Sequence, residues 1–140
     1  MIRQLAASLS AWYQDGRGLP VTRLVELLGV PTIEHAVVGH GNPGQSARII
    51  LIELESATFH ADSDPSEAFA ASLGASFTSA CHFLSSIPAN ATQRVREAGI
   101  QLDLFIEIWM DNNQLDLELP STFMGELARL RLPLKILSND

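Results

Sequence analysis

The chain has 140 residues, with 9 Lys and Arg against 16 Asp and Glu, a formal net charge of −7 and a sequence pI of about 4.9. Hydrophobic residues make up 46% and charged residues 18%, which excludes a disordered chain, and no apolar run approaches the roughly 20 residues a membrane-crossing helix needs. The basic side chains are scattered, so the electrostatic footprint of nucleic-acid or anionic-membrane binding is missing and a basic partner is the natural complement.

A length of this order closes one hydrophobic core without a metal or disulfide staple, so residues 1–140 are read as a single globular domain. The opening Met1-Ile2-Arg3-Gln4 and the Leu/Ala/Ser stretch after it resemble a secretory signal only superficially. Trp12, Tyr13 and Asp15 interrupt it before a persuasive cleavage site. The lone Cys81 cannot form an internal disulfide, and cytoplasmic residence is the resulting expectation.

In chain order, Leu5, Ala7, Leu9, Ala11 and Tyr13 alternate with Ala6, Ser8, Ser10 and Trp12, the period of a strand with one buried face. The polar run from Gln14 to Gly18 ends it. Pro20 suits a helix's first turn, and Val21, Leu24, Val25 and Leu28 keep helical spacing until Gly29 and Pro31. A weak strand at Glu34 to Val38 precedes the Gly39 to Gln45 loop. The strand Ala47 to Glu55 follows, and its Ile49-Ile50-Leu51-Ile52 run predicts a central place in the sheet.

Asp64-Pro65-Ser66-Glu67 carries a capping carboxylate, a first-turn proline and an acid favoured by the helix dipole. The longest helix is expected there, with Phe69, Leu73, Phe77, Ala80, Leu84 and Ile87 as its buried stripe, ended by Pro88. Asn90 with Gln93 resembles a capping box for a short helix that closes near Gly99. Leu102, Leu104, Ile106 and Ile108 alternate with Gln101, Asp103, Phe105, Glu107 and Trp109 in the clearest strand pattern. A hairpin through Asp111-Asn112-Asn113 to Leu115, Leu117 and Leu119, interleaved with Asp116 and Glu118, is the predicted continuation. Phe123, Leu127 and Leu130 mark a last helix, and Leu134 to Leu137 a last strand.

One part of this layout is an echo of another. Ala11 to Pro31 and Ile108 to Pro133 share a Trp (Trp12, Trp109), a Leu-Pro entry (Leu19-Pro20, Leu119-Pro120), a Thr (Thr22, Thr122), a Glu-Leu (Glu26-Leu27, Glu126-Leu127) and a closing proline (Pro31, Pro133). The predicted architecture is α+β: a mostly antiparallel sheet with helices packed on one face, ferredoxin-like, with a pseudo-repeated strand-helix-strand layout.

The segments Leu24 to Pro31 (LVELLGVP), Leu102 to Trp109 (LDLFIEIW) and Leu117 to Leu137 (LELPSTFMGELARLRLPLKIL) resemble the bacterial domain of unknown function 4279 family. That resemblance covers most of the chain and implies a fold, with no catalytic residues to carry over. Where the family often has a Gly-Asp or Trp-containing stretch before the central strand, this chain has Gly39-His40-Gly41-Asn42-Pro43-Gly44.

Those six residues match G-x-G-x-x-G in letters only. A nucleotide cradle needs a strand before the motif and a helix after it, whereas a β-branched run follows here and Pro43 removes an amide donor. His35, His40 and His60, with Asp62 and Asp64, lack recognised metal-ligand spacing, so no metal and no cofactor are expected. Cys81 and His82 are adjacent on a helix and diverge by about 100 degrees, which favours packing over a nucleophilic pair.

No catalytic motif is present, and a non-enzymatic role is expected. Asp103, Glu107 and Trp109, with Phe105, share one strand face, where acids steer a basic partner and aromatics supply desolvated contact. The primary expectation is a non-catalytic protein-interaction domain of immunity type that covers a basic protein, with no nucleic-acid or membrane role and a homodimer compatible with the pattern. The alternative is a small-ligand-binding sensor of ferredoxin-like type. Convergent polar groups in a pocket favour the ligand, and a flat acidic face favours the protein.

Overall fold

The computed structural model describes residues 2–30, 37–38, 47–56, 65–111 and 117–139. In chain order these form β1 (Ile2–Tyr13), α1 (Val21–Leu28), β2 (Val37–Val38), β3 (Ala47–Glu55), α2 (Pro65–Ser85), α3 (Ala91–Glu97), β4 (Ile100–Met110), α4 (Ser121–Leu130) and β5 (Leu134–Asn139). The protein is α+β, with a mixed sheet in the order β2-β3-β1-β4-β5.

The alternation in the first strand becomes the centre of the sheet. β1 pairs antiparallel with β3 on one side and with β4 on the other. Its Leu5, Ala7, Leu9 and Ala11 lie opposite Ile108, Ile106, Leu104 and Leu102, and all eight are buried. Leu24 and Leu28 of α1, Phe77, Ala80 and Leu84 of α2, Val95 of α3 and Phe123, Leu127 and Leu130 of α4 complete the same core. Each large aliphatic or aromatic side chain so buried contributes about 1.5–3 kcal/mol relative to exposure. The helices therefore sit on one face of the sheet, which leaves the other face to short polar and amphipathic side chains.

Two expectations change on contact with the sheet. The Ile49 to Ile52 run is not the central strand. Ala7 pairs with Ile52 and Ser8 with Ile50, so Leu51 is an extra residue, a bulge that lets both Ile49 and Ile52 face the core three positions apart. The apolar run comes from that bulge and not from burial on both faces. The predicted hairpin is not seen among the described residues: Asn112, Asn113 and Leu115 lie outside them, and residues 117–120 are not a strand, because both edges of β4 are taken by β1 and by β5, which runs parallel to it. Leu117 and Leu119 pack against the core instead. Asp116 lies outside the described residues, and Glu118 is exposed and off the sheet. With β4 and β5 parallel, the sheet is mixed.

The echo has a geometric meaning. β2 is antiparallel to β3 and β3 to β1, so β2 runs parallel to β1, as β5 does to β4. Each copy is thus a strand, helix and parallel strand, with β3 inserted between the two strands of the first. Both helices start after a proline and both leave through a left-handed residue, Gly29 at φ 68° and Arg131 at φ 54°. Their amides return to the last turn, from Gly29 to Val25 and Glu26 and from Arg131 to Ala128. A buried aliphatic follows each, Val30 and Leu132.

Between helices, polar contacts replace capping. Asn90 precedes α3 without a side-chain cap, and Gln93 Nε2 donates to Glu97 Oε1 at 3.1 Å, so the expected capping box does not form. Thr92 Oγ1 donates to Leu130 O at 2.7 Å in the interior. Arg129 donates to Leu84 O at 2.8 Å and Ile87 O at 2.9 Å, adding side-chain bonds to carbonyls at and just beyond the end of α2. Phe77 and Phe123 meet edge to face at 5.0 Å between centroids, tying α2 to α4.

The two helix exits generate a matched pair of expectations. Gly29→Ala should lose about 1–2 kcal/mol, since a Cβ pays the left-handed penalty and would also meet Arg94 Nη2 at 3.4 Å. Arg131→Gly should gain about 0.5–1 kcal/mol by removing the same penalty. Urea unfolding of both variants, with unchanged m values, is the measurement.

Candidate functional site

The helix-free face carries every other residue of the strands. Across the sheet, Arg48 of β3, Ser10 of β1 and Asp103 of β4 stand in one row, and Phe105 and Lys135 adjoin in the next. Gln4, Ala6, Ser8 and Trp12 of β1 share that face, as do Glu107 and Trp109 of β4.

Asp103, Phe105, Glu107 and Trp109 therefore do lie on one face and not beneath a helix, as the strand period requires. They do not form an acidic patch. Asp103 is 2% exposed, and Lys135 Nζ lies 3.1 Å from its Oδ2. Glu107 accepts from Arg48 Nη1 at 3.3 Å. Both cations also cover aromatic rings, Arg48 over Phe105 at 5.6 Å and Lys135 over Trp12 at 5.1 Å. The acids are thus met within the chain by cations that cross the aromatics. Trp109 stands apart, 42% exposed, beside Gln4, Glu55 and the ion pair of Arg3 with Asp111 at the far end of the face.

Sequence patterning had not singled out Arg48, Lys135, Trp12 and Ser10 as site residues. A signal existed for two of them: Arg48 and Lys135 are the lone cations of their strands, each beside apolar neighbours, which marks a solvent-side position. Their convergence depends on β3, β1, β4 and β5 lying side by side.

The groups line an open depression of about 350 Å³, bounded by Ser10, Trp12, Gly16, Arg48, Asp103, Phe105 and Lys135. Asp103 is its unusual member. The ammonium of Lys135 is close enough for an ion pair but not aligned for a hydrogen bond, and neither carboxylate oxygen has a hydrogen-bond partner among the described residues. A buried carboxylate ordinarily accepts several such bonds, and one without them has acceptor capacity to spare.

Gly16 reaches the depression from the turn after β1. In that turn Arg17 donates its amide to Asp15 Oδ1 at 3.0 Å and its Nε to Oδ2 at 2.7 Å, while its guanidinium covers Tyr13 at 4.6 Å. The Arg17 amide, and then its side chain, hold the Asp15 carboxyl below its ordinary value. A depressed carboxylate contributes its stabilisation above its unfolded-state value and loses it as pH falls through the folded one.

Elsewhere, Cys81 is half-buried against the core with Sγ 3.8 Å from Thr122 Oγ1, while His82 is exposed, so the two side chains diverge as helical neighbours must. Among the described residues no group of three or more His, Cys, Asp and Glu is placed to hold a metal ion. His35, His40, His60, Asp62 and Asp64, and the Gly39 to Gly44 loop, lie outside the described residues. Among those residues, no helix is long and apolar enough to cross a membrane. Comparison of the chain with known family models, curated proteins and solved structures found no match.

A carboxylate that is buried, ion-paired off-axis and not hydrogen-bonded stabilises the fold little. Asp103→Asn should leave the unfolding free energy unchanged or raise it by up to about 1 kcal/mol, whereas breaking a well-formed buried ion pair costs about 3–5 kcal/mol. Denaturant unfolding of the variant distinguishes the two.

Proposed function

We propose that the protein is a non-catalytic binding domain, that the helix-free face of its sheet is the recognition surface, and that the occupant is a small polar ligand. The observation that carries this reading is Asp103, buried with both oxygens free of hydrogen bonds among the described residues, at an open depression that Trp12 and Phe105 also line. A few convergent polar groups with aromatic walls are the usual make-up of a small-molecule site, and the volume of the depression falls at the small end of the usual range of about 300–1,000 Å³. The basic protein partner of immunity type loses support from the same geometry. Glu107 and Asp103 already face Arg48 and Lys135, so they offer little free charge to steer a cationic surface.

The order β2-β3-β1-β4, with β1 and β2 parallel around an inserted β3, supports a ferredoxin-like assignment extended by α4 and β5. Membership of the 4279 family belongs to the same proposal. The left-handed exits of α1 and α4 and the Leu119-Pro120 entry of α4 are features of the segments that resemble it. A cytoplasmic, regulatory or sensory setting fits a binding domain of this size and composition.

Fragment screening by protein-observed NMR is the test. Hits should shift the amides of Ser10, Trp12, Asp103, Phe105 and Lys135 in one cluster. Shifts confined to the helix face would reject the surface. Salt-sensitive binding of a polylysine peptide over Glu107 and Trp109, with no fragment hits, would restore the basic partner instead.

A further inference from the structure

We infer that the depression between Trp12 and Phe105 accepts a small zwitterion of the α-amino-acid type, whose ammonium takes the place of Lys135 on Asp103 and whose carboxylate is then held by Lys135. This rests on the small-ligand reading above and narrows it to one chemical class.

Charge balance selects the class. Asp103 is buried, and the cation paired with it among the described residues, Lys135 Nζ at 3.1 Å, approaches off the hydrogen-bonding direction. A simple anion would draw Lys135 away and leave a buried carboxylate uncompensated, which is costly. A simple cation would satisfy Asp103 but release Lys135 with nothing in exchange. A zwitterion inserts into the pair and leaves every charge met, converting one off-axis contact into two charge-assisted hydrogen-bonded ones.

The surroundings permit that exchange. The Lys135 side chain is 51% exposed, so its long stem can swing without disturbing the core. It lies on β5, an outer strand of the sheet, whereas Asp103 is fixed on β4 with β1 and β5 on either side. Trp12 and Phe105 offer ring surface to the ligand's apolar body, and the Ser10 hydroxyl stands across from Asp103 in the paired register. Arg48, already committed to Glu107 and Phe105, forms a wall of the site.

The matched probes are L-phenylalanine, phenethylamine, which lacks the carboxylate, and 3-phenylpropanoate, which lacks the ammonium. Binding is read by Trp12 fluorescence in a Trp109→Phe background and by calorimetry. L-Phenylalanine or another common amino acid should bind with a Kd of about 1 mM or tighter, and its amine-only and acid-only analogues about tenfold or more weakly. Asp103→Asn and Lys135→Met should each weaken the zwitterion about tenfold or more, and Lys135→Met should narrow its advantage over phenethylamine. If Asp103→Asn fails to fold, Lys135→Met with the three probes makes the same decision. Equal affinity for phenethylamine would make this a cation site, and equal affinity for 3-phenylpropanoate an anion site. Either result overturns the zwitterion while the small-ligand reading survives. No binding of any common amino acid up to about 10 mM overturns the inference as well, and the broader reading is then decided by the NMR fragment mapping alone.

Discussion

Everything in this molecule is registered against β1. The strand is hydrogen-bonded along both edges, to β3 and to β4, so its two faces cannot rotate independently of their neighbours. Leu5, Ala7, Leu9 and Ala11 are held toward the helices, and Ser8, Ser10 and Trp12 away from them. A slip of one residue would exchange the two sets and bury a serine and an indole where alanine and leucine now pack. The same register that builds the core therefore also sets Ser10 beside both Arg48 and Asp103.

Around that strand the helices are fastened by a few directional contacts laid over apolar packing. Arg129 closes the end of α2 while standing on α4, and Thr92 ties α3 to the end of α4. Arg96 adds a bond to the carbonyl of Arg131, the residue that turns the chain from α4 toward β5. These contacts place β5 beside β4 and so deliver Lys135 to the open face. The position of the cation at Asp103 depends on how a helix on the opposite side of the sheet ends.

The open face itself is best understood as a set of exchanges between charge and aromatic surface. Arg48 crosses Phe105 to reach Glu107, and Lys135 lies over Trp12 while approaching Asp103. Glu107 and Arg48 keep partial contact with water, where an ion pair is worth little. Asp103 has almost none, and among the described residues its oxygens lack the donors that normally accompany burial. That inequality between two acids of one strand sets Asp103 apart from the solvated charges on the same face.

The sequence by itself determined the types of the helices and of β1, β3, β4 and β5, the core stripes and the faces of β1 and β4, because periods of two and of about 3.6 are local and survive without tertiary information. It also carried the echo of Trp, Leu-Pro and closing proline, since entry and exit of a helix are governed by residues within a turn of its ends. The bulge at Leu51, the parallel seat of β5 beside β4 and the loss of the Leu117 hairpin were decided only in the assembled sheet, where strands compete for edges. So was the character of Asp103, which alternation placed correctly on the polar face but whose burial and pairing with Lys135 of β5 appear only in the assembled sheet. Charge on a strand is legible in sequence; what compensates it is a long-range fact, settled by which strands become neighbours.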